Sequence, residues 1–405
     1  MPGPYGGPYT FTQPAPPPPP RRRRRTGLFV ALGVFAALAI GVAGAEIGRY
    51  EGSAAPTVQA TAQPTASTTG APSAPSATPS DGSSSSSSET DAAGVAAIID
   101  PALVDIVSTF EYQQATGAGT GIVLTSTGEI VTNNHVISGA TSISVTDVGN
   151  GQTYTATVVG YDAAHDVAVL QLQGAWGLAT ASISSTAASV GESVVGAGNA
   201  GGTGGTPTAA AGSVTAVSQS ITASNELTGT SEQLSDLIQV NANIQSGDSG
   251  GALVDSTGSV IGINTAGSNN YSLSSQTGRG YAIPIADAMT IVTVVEAGQG
   301  STTTHVGDSA FLGVLMGSSS NGRVSRSATT GALVGGVVAG DPAAKAGIVA
   351  GDTITSLGGK TVDSATTLGQ LMIAYHPGDT AAIGWVDTSG TAHTARVALV
   401  SGPPA

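Results

Sequence analysis

The chain has 405 residues, enough for two or three domains, with 58 glycines, only 9% charged residues and a formal net charge of −14. It contains no cysteine, which excludes disulfides, thiolate nucleophiles and cysteine-based zinc sites. After Asp91 the few basic residues are scattered among many acidic ones, which argues against a nucleic-acid-binding surface.

The N-terminal segment predicts a membrane anchor. Residues 1–26 are rich in proline and contain the arginine run Arg21–Arg25, and an uncharged stretch follows from Gly27 to Ala45. That stretch of about 19 residues is long enough to span a bilayer, and the arginines before it favour a cytoplasmic N-terminus. A cleaved signal peptide, including a twin-arginine export signal, is the alternative, since Ala43–Ala45 fits a small-residue cleavage site and would make the protein secreted.

Residues 46–92 are rich in Ala, Pro, Ser and Thr and include the serine run Ser83–Ser88. This composition cannot bury a core, so we predict a flexible linker. From about Ala93 to Gly298 the pattern changes to short β-branched runs such as "GIVLTSTGEIVTNNHVI" and "DVAVLQLQ", separated by Gly, Asn, Asp and Ser. Many short strands at this spacing predict an antiparallel sandwich or a pair of barrels.

The stretch "NIQSGDSGGALV" places Ser249 among glycines between two predicted strands. It is either a surface turn or the loop of a nucleophilic serine. The second interpretation requires a histidine and a carboxylate, and His135 in "IVTNNHVI" and Asp166 in "AHDVAVLQL" supply them. In such a triad the histidine takes the serine proton, and the aspartate orients and stabilises the imidazole.

The backbone N–H groups of Gly247 and Ser249 would form the oxyanion hole in this interpretation. Glycine at position 247 allows the sharp backbone turn that aims the N–H inward. Each motif alone is weak evidence, but His135, Asp166 and Ser249 in that order on an all-β pattern together predict a serine endopeptidase. This chemistry requires no metal and no cofactor.

The motifs "TNNHV", "DVAVLQL", "GDSGGALV", "VIGINTAG" and "GYAIP" resemble those of the HtrA (DegP-like) serine proteases. The resemblance implies a mainly β fold, with a chymotrypsin-like double β-barrel, and ATP-independent cleavage of unfolded or misfolded polypeptides. It also implies a homotrimer formed through the protease domain. One departure is Asp248, where the family usually has asparagine. Its side chain is expected to point away from the oxyanion hole.

By analogy with chymotrypsin-like enzymes, the primary specificity pocket would have Asn243 near its floor. Without a carboxylate at that position, cleavage after Lys or Arg is not expected. A pocket for small or medium aliphatic side chains is expected instead, and the residues assigned to it are Asn243, Ile244, Ile263, Asn264 and Thr265.

The C-terminal part closely resembles a bacterial PDZ domain in "FLGV" and "AGDPAAKAGIVAGDTI". The resemblance implies an α+β domain that captures a C-terminal peptide as an added strand and holds its carboxylate on backbone N–H groups. The carboxylate-binding loop would be Phe311, Leu312, Gly313 and Val314, and the groove-lining helix residues would include Leu368 and Leu371.

The sequence therefore predicts a membrane-anchored, extracytoplasmic HtrA-like serine endopeptidase for protein quality control or processing. One alternative is a catalytically silent or chaperone-like PDZ binding protein, and another is a regulatory protease that cuts one membrane substrate. The predicted divisions are a disordered cytoplasmic segment (1–26), a transmembrane helix (27–45), a linker (46–92), a trypsin-like protease domain (93–298) and a PDZ domain (305–402).

Overall fold

The computed structural model describes residues 85–225, 230–265, 271–273, 279–317 and 329–405. The predicted N-terminal segment, the predicted anchor at 27–45 and most of the predicted linker lie outside these residues. Within the described ranges, no helix combines the length and the apolar character that crossing a membrane requires.

The described chain begins with helix α1 (Ser85–Ile99), so regular structure starts before Ala93, where the protease domain was predicted to begin. Ala92, Ala96 and Ile99 are buried, and Ala92 and Ile99 belong to a large apolar core that also includes strands of the second barrel. A short 3-10 turn containing Pro101 follows the helix, because proline cannot continue the backbone hydrogen-bond ladder.

The first barrel is a closed antiparallel sheet. Its order is β5-β4-β1-β2-β3-β6, and the pairing of β5 with β6 closes the ring. Strand β4 alternates buried and exposed residues, as expected for a strand with one face on the core. The strands are β1 (Leu103–Phe110), β2 (Ala115–Val123), β3 (Glu129–Thr132), β4 (Ser142–Asp147), β5 (Thr153–Asp162) and β6 (Val167–Leu172).

The second barrel repeats this design. Its order is β8-β7-β10-β11-β13-β9, β8 pairs with β9 to close it, and β12 adds to the edge of β8. Its strands are β7 (Ser193–Gly198), β8 (Thr208–Asn225), β9 (Thr230–Val240), β10 (Ala252–Val254), β11 (Val260–Thr265), β12 (Tyr271–Leu273) and β13 (Gly280–Pro284). Closure of both barrels leaves few free edges, which suits a chain this rich in β-branched residues.

The connection to the last domain runs through helix α3 (Ile285–Glu296) and strand β14 (Thr304–Val306). Strand β14 pairs with β5, so the chain returns to the first barrel before it enters the C-terminal domain. Gly160 permits this close approach, because a Cβ there would lie 2.6 Å from the backbone oxygen of His305.

The C-terminal domain is α+β. A two-stranded ribbon, β15 (Ser309–Phe311) with β22 (Val400–Gly402), lies beside a sheet of order β16-β17-β18-β20-β21, in which β19 also pairs with β18. The remaining elements are β16 (Val314–Met316), β17 (Ala332–Val337), α4 (Pro342–Ala346), β18 (Thr353–Leu357), β19 (Lys360–Thr361), α5 (Ala365–Met372), β20 (Thr380–Val386) and β21 (Ala392–Ala398).

Helix α5 begins after Ser364, whose Oγ accepts the N–H of Thr367 at 3.1 Å as an N-cap. We predict that Ser364→Ala lowers the free energy of unfolding of the C-terminal domain by about 1 kcal/mol, because the capping acceptor is lost. Urea unfolding followed by circular dichroism measures this, and Ser364→Thr, which keeps a hydroxyl, is the matched control. Equal stability of the Ala and Thr variants would contradict the prediction.

Candidate active site

His135 lies on helix α2 (Asn134–Ile137), a single turn that is separated from β3 by Asn133 alone. Val136 and Ile137 are buried in the first-barrel core, and the Ser108 hydroxyl donates to the Val136 carbonyl at 2.7 Å. The apolar residues thus fix the helix on the barrel, while the His135 side chain, only 6% exposed, meets Asp166 on its other side.

Asp166 precedes β6 and is fully buried. One carboxylate oxygen accepts the backbone N–H of His135 at 2.9 Å, and the other lies 2.8 Å from His135 Nδ1. Because an ionised carboxylate only accepts, Nδ1 carries the proton in this pair and Nε2 is left as the acceptor. Thr265 Oγ1 donates to the same carboxylate at 3.5 Å, and Asn133 Nδ2 donates to the Asp166 carbonyl at 3.0 Å.

The backbone of Asp166 has φ of +55°, a left-handed conformation that non-glycine residues seldom adopt. Such a conformation costs free energy and persists where surrounding contacts determine it. Here the bonds from Asn133, His135 and Thr265 supply those contacts. His165, which precedes it, turns away and pairs instead with Asp162 at 2.8 Å.

Ser249 lies in the loop between β9 and β10 and is almost completely buried. Thr120 holds this loop from the first barrel: its N–H donates to the Ser249 carbonyl at 2.8 Å and its hydroxyl donates to the Gly247 carbonyl at 2.8 Å. The Thr120 hydroxyl also accepts the N–H of Asn199 at 2.9 Å, which joins β7 to the same junction. The Ser249 loop therefore lies where the two barrels adjoin, against strand β2 of the barrel that carries His135 and Asp166.

Two glycines of this loop have backbone conformations that favour glycine. Gly247 has φ of +96°, and a Cβ there would overlap the backbone oxygen of Asn199. Gly250 has φ of +83°, and a Cβ there would overlap the backbone oxygen of Thr120. The loop is thus closely packed against β2 and the residues after β7, which restricts the direction of its backbone amides.

The residues predicted for the specificity pocket separate into different environments. Asn243 is exposed, whereas Ile244 is half-buried and its side chain occupies the space above Gly196 and Gly280. Asn264 is fully buried beneath Gly196, and its amide donates to the carbonyls of Ala197 and Ala252. The other two point elsewhere, Ile263 into the barrel core and Thr265 toward Asp166.

In the C-terminal domain, an apolar cavity of about 160 Å³ lies between β16 and α5. Of the predicted groove residues, Phe311, Leu312, Val314 and Leu368 line it. Leu371 instead packs against the domain core, and Gly313 has φ of +81° and approaches Asp341. Sequence reasoning missed Met316 and also the protease-domain residues Tyr112, Gln113, Gly139 and Thr230, which line the same cavity.

Asp248 directs its carboxylate toward β7 and β8. It accepts the N–H of Gln245 at 2.8 Å and the hydroxyl of Thr208 at 3.4 Å, and a Cβ at Gly198 would lie 2.9 Å from it. Burial raises the pKa of Asp248 to about 6, although these hydrogen bonds oppose the shift.

Burial likewise raises the pKa of Glu232 to about 8, assisted by the negative charges of Asp166 and Asp162.

The trypsin-like peptidase domain model matches residues 119–263, and the PDZ domain model matches residues 310–391. The chain is 33% identical to the serine protease PepD of Mycobacterium tuberculosis, over 75% of this chain and 65% of that protein. It is 35% identical to the periplasmic serine endoprotease DegP of Escherichia coli, over 58% of this chain and 47% of that protein. The chain thus spans less than two thirds of the length of these relatives.

Among solved structures, the HtrA-type protease AlgW with tripeptide is 28% identical, covers 77% of this chain and 98% of that chain, and has a TM-score of 0.43. The domain matches define a mainly β protein with a trypsin-like peptidase fold and a PDZ domain. Together with the curated relatives they confirm the resemblance predicted from the motifs: the chain is HtrA-like, a serine-protease homologue with a PDZ domain.

The pKa of Asp248 gives a testable dependence of stability on pH. Its folded-state pKa of about 6 lies above the ordinary value of 3.8, so the stabilisation from protonated Asp248 is complete below about pH 3.8 and is lost as the pH rises through 6. We predict that Asp248→Asn, which cannot ionise, is more stable than the parent at pH 8 by roughly 1–2 kcal/mol, and that this advantage disappears toward pH 4.

Thermal unfolding from pH 4 to pH 8 measures this difference. Asp255→Asn is the control: burial raises the pKa of Asp255, but hydrogen bonds from Thr257 and Ser259 bring it below the usual value. The stability difference between this control and the parent should therefore stay constant from pH 5 to pH 8. A pH-independent difference for Asp248→Asn as well would contradict the prediction.

Proposed function

We propose that this chain is an ATP-independent serine endopeptidase that acts outside the cytoplasm on unfolded or misfolded polypeptides. The observation that carries the proposal is the buried pair of His135 and Asp166 on the first barrel. Thr120 of the same barrel binds the Ser249 loop through two hydrogen bonds. Burying a carboxylate charge costs free energy, so packing alone would not favour a fully buried Asp166 that is bonded twice to one histidine. The pair is therefore better explained by a role in catalysis.

In the proposed mechanism, Ser249 Oγ attacks the scissile carbonyl carbon and His135 Nε2 takes the hydroxyl proton. Asp166 stabilises the imidazolium, which then protonates the leaving amine. A water molecule repeats the sequence on the acyl-enzyme, and the acid product leaves. Asp166 remains an acceptor throughout, as its bonds to the His135 N–H, His135 Nδ1 and the Thr265 hydroxyl support.

The backbone N–H groups of Gly247 and Ser249 are proposed to bind the oxyanion of the tetrahedral intermediate. The restricted conformation of Gly247 and the bonds from Thr120 support this role, since both limit the directions available to the loop. A single such donor contributes about 2.7–4 kcal/mol of transition-state stabilisation in serine proteases.

The proposed primary pocket takes small or medium aliphatic side chains and not Lys or Arg. Ile244 supports this, because its side chain already fills part of the space left by Gly196 and Gly280. Asn264 lies at the base with its amide bonded to two carbonyls, so it presents no carboxylate to a basic substrate side chain. Asn243 is proposed to act at the pocket rim, in keeping with its exposure.

The PDZ domain is proposed to bind C-terminal peptides of substrates. Strand β16 is at the edge of its sheet, so a peptide can pair with it, and the apolar cavity between β16 and α5 can accept the terminal side chain. Phe311, Leu312, Gly313 and Val314 are the proposed carboxylate loop. Leu368 and Leu371 were assigned to the groove from the sequence, and Leu368 is the one of these two that lines the cavity.

The proposed location is the cell membrane, with residues 27–45 as a single-pass anchor, the N-terminus cytoplasmic and the protease and PDZ domains outside. The arginine run and the uncharged stretch support the anchor, and two related proteins carry "periplasmic" in their names. Assembly as a homotrimer is proposed from the family resemblance alone.

Digestion of an unfolded casein substrate tests the proposed activity, with cleavage sites mapped by mass spectrometry. We expect the parent to cleave after small or medium aliphatic residues. The rate of cleavage by Ser249→Ala should be at least about a thousandfold lower. Ser246→Ala, which changes an exposed serine in the same loop, should retain activity. Cleavage that survives in Ser249→Ala would contradict the proposed nucleophile, and no cleavage by the parent would favour the silent binding protein.

A further inference from the structure

We propose that residues 403–405, anchored by Tyr161, are positioning residues for His135. This inference rests on the proposed function, in which His135 is the general base. Residues 403–405 follow the ribbon of β15 and β22 and extend from the C-terminal domain onto the first barrel, where they contact both ends of α2.

The contacts at the two ends of α2 are hydrogen bonds to this segment. At the start of the helix, the Asn134 side-chain amide donates to the Ala405 carbonyl at 3.2 Å. Just beyond its end, the N–H of Gly139 donates to the Pro404 carbonyl at 2.7 Å. Pro404 is buried, so its bond is shielded from competing water, whereas Ala405 is exposed and its bond to the buried Asn134 is only partly shielded. His135 is carried between them.

Helix α2 is too short to fix its own position. It has four residues, and no side chain caps its N-terminus. Asn133, at the N-cap position, is held by a bond from its Nδ2 to the Asp166 carbonyl. A single helical turn is unstable alone, so its placement depends on tertiary contacts. The Ser108 hydroxyl provides one such contact, on the Val136 carbonyl. Residues 403–405 provide the two contacts described above, at either end of the turn.

Tyr161 fixes this segment to the barrel. Its side chain is almost completely buried, and its hydroxyl accepts the N–H of Ala405 at 3.2 Å and the Ser309 hydroxyl at 3.5 Å. Ser309 belongs to β15 and pairs with Gly402 at the end of β22. One phenol oxygen on β5 therefore holds both the ribbon and the segment that leaves it.

Two further features limit the movement of this segment. Pro403 and Pro404 have restricted φ angles, so little conformational entropy is lost when the segment docks. At the far end of the ribbon, Phe311 stacks on Tyr112 of the first barrel with ring centroids 5.5 Å apart. The ribbon is thus held at both ends, and a displacement of residues 403–405 would be transmitted to α2.

Misplacement of a general base by a fraction of an ångström lowers the rate of the chemical step without altering substrate binding. Residues 403–405 also line the cavity of the C-terminal domain, so the substrate is a C-terminally amidated peptide that the parent cleaves. We expect deletion of residues 403–405 to lower kcat about tenfold on this peptide, with KM changed less than twofold. Tyr161→Phe, which keeps the ring and removes the acceptor, should lower kcat about threefold. Because Tyr161 acts on α2 through residues 403–405, Tyr161→Phe should have no further effect on kcat in the deleted chain.

Tyr154→Phe is the matched control. Tyr154 lies on the same strand, but its hydroxyl bonds to Gln152 and Asn150, not to residues 403–405. It should leave kcat unchanged, and thermal unfolding should show that all variants are folded. Unchanged kcat in the deleted chain, or independent multiplication of the deletion and Tyr161→Phe effects, would overturn the inference.

A second readout does not need turnover. The proton between His135 Nδ1 and Asp166 should give a far-downfield proton NMR resonance in the parent, since the two atoms lie 2.8 Å apart. We expect the deletion to shift or broaden this resonance, and Tyr154→Phe to leave it unchanged. If the parent cleaves nothing but the deletion moves the resonance, the proposed function fails and the positioning inference stands. An unmoved resonance overturns the inference, whether or not the parent is active.

Discussion

The candidate site depends on one buried charge, the carboxylate of Asp166. A lone ionised carboxylate in a protein interior costs several kcal/mol, so the fold must surround it with donors. It does so with both the backbone and the ring of His135 and with the Thr265 hydroxyl. The left-handed backbone at Asp166 directs the carboxylate toward α2 while β6 continues into the barrel core. The tautomer of His135 follows from this arrangement.

The second requirement is that the two barrels, each closed on its own, keep their site residues aligned with one another. The first barrel carries His135 and Asp166, and the second carries Ser249. Thr120 joins them, because its N–H and hydroxyl contact the Ser249 loop while its own carbonyl accepts the Thr132 hydroxyl. A small polar residue in a buried strand thus performs the alignment that a disulfide could perform in a chain with cysteines. Residues 403–405, which follow the C-terminal domain, add contacts at both ends of α2.

Much of this could be predicted from the sequence, because the signals are local. The strand pattern indicated an antiparallel sandwich or a pair of barrels, and the family resemblance implied two barrels. The motif "GDSGG" indicated a glycine-dependent loop, and the positive φ of Gly247 and Gly250 agrees with it. Contacts distant in sequence had no such signal. Thr120 looks like any strand threonine, and Thr265, predicted for the pocket wall, bonds to Asp166 across 99 positions. The packing of Leu371 into the core depends on which face α5 presents, which two turns of helix do not settle.

The most direct test of the account is covalent labelling by a fluorophosphonate, which reacts with a serine that is activated by an adjacent base. We expect a single adduct on the peptide containing Ser249, lost in His135→Ala and strongly reduced in Asp166→Asn, because that asparagine would stabilise the wrong tautomer of His135. Tandem mass spectrometry locates the adduct. Absence of labelling in a folded parent, or labelling that persists in both variants, would contradict the central claim that these three residues form one catalytic unit.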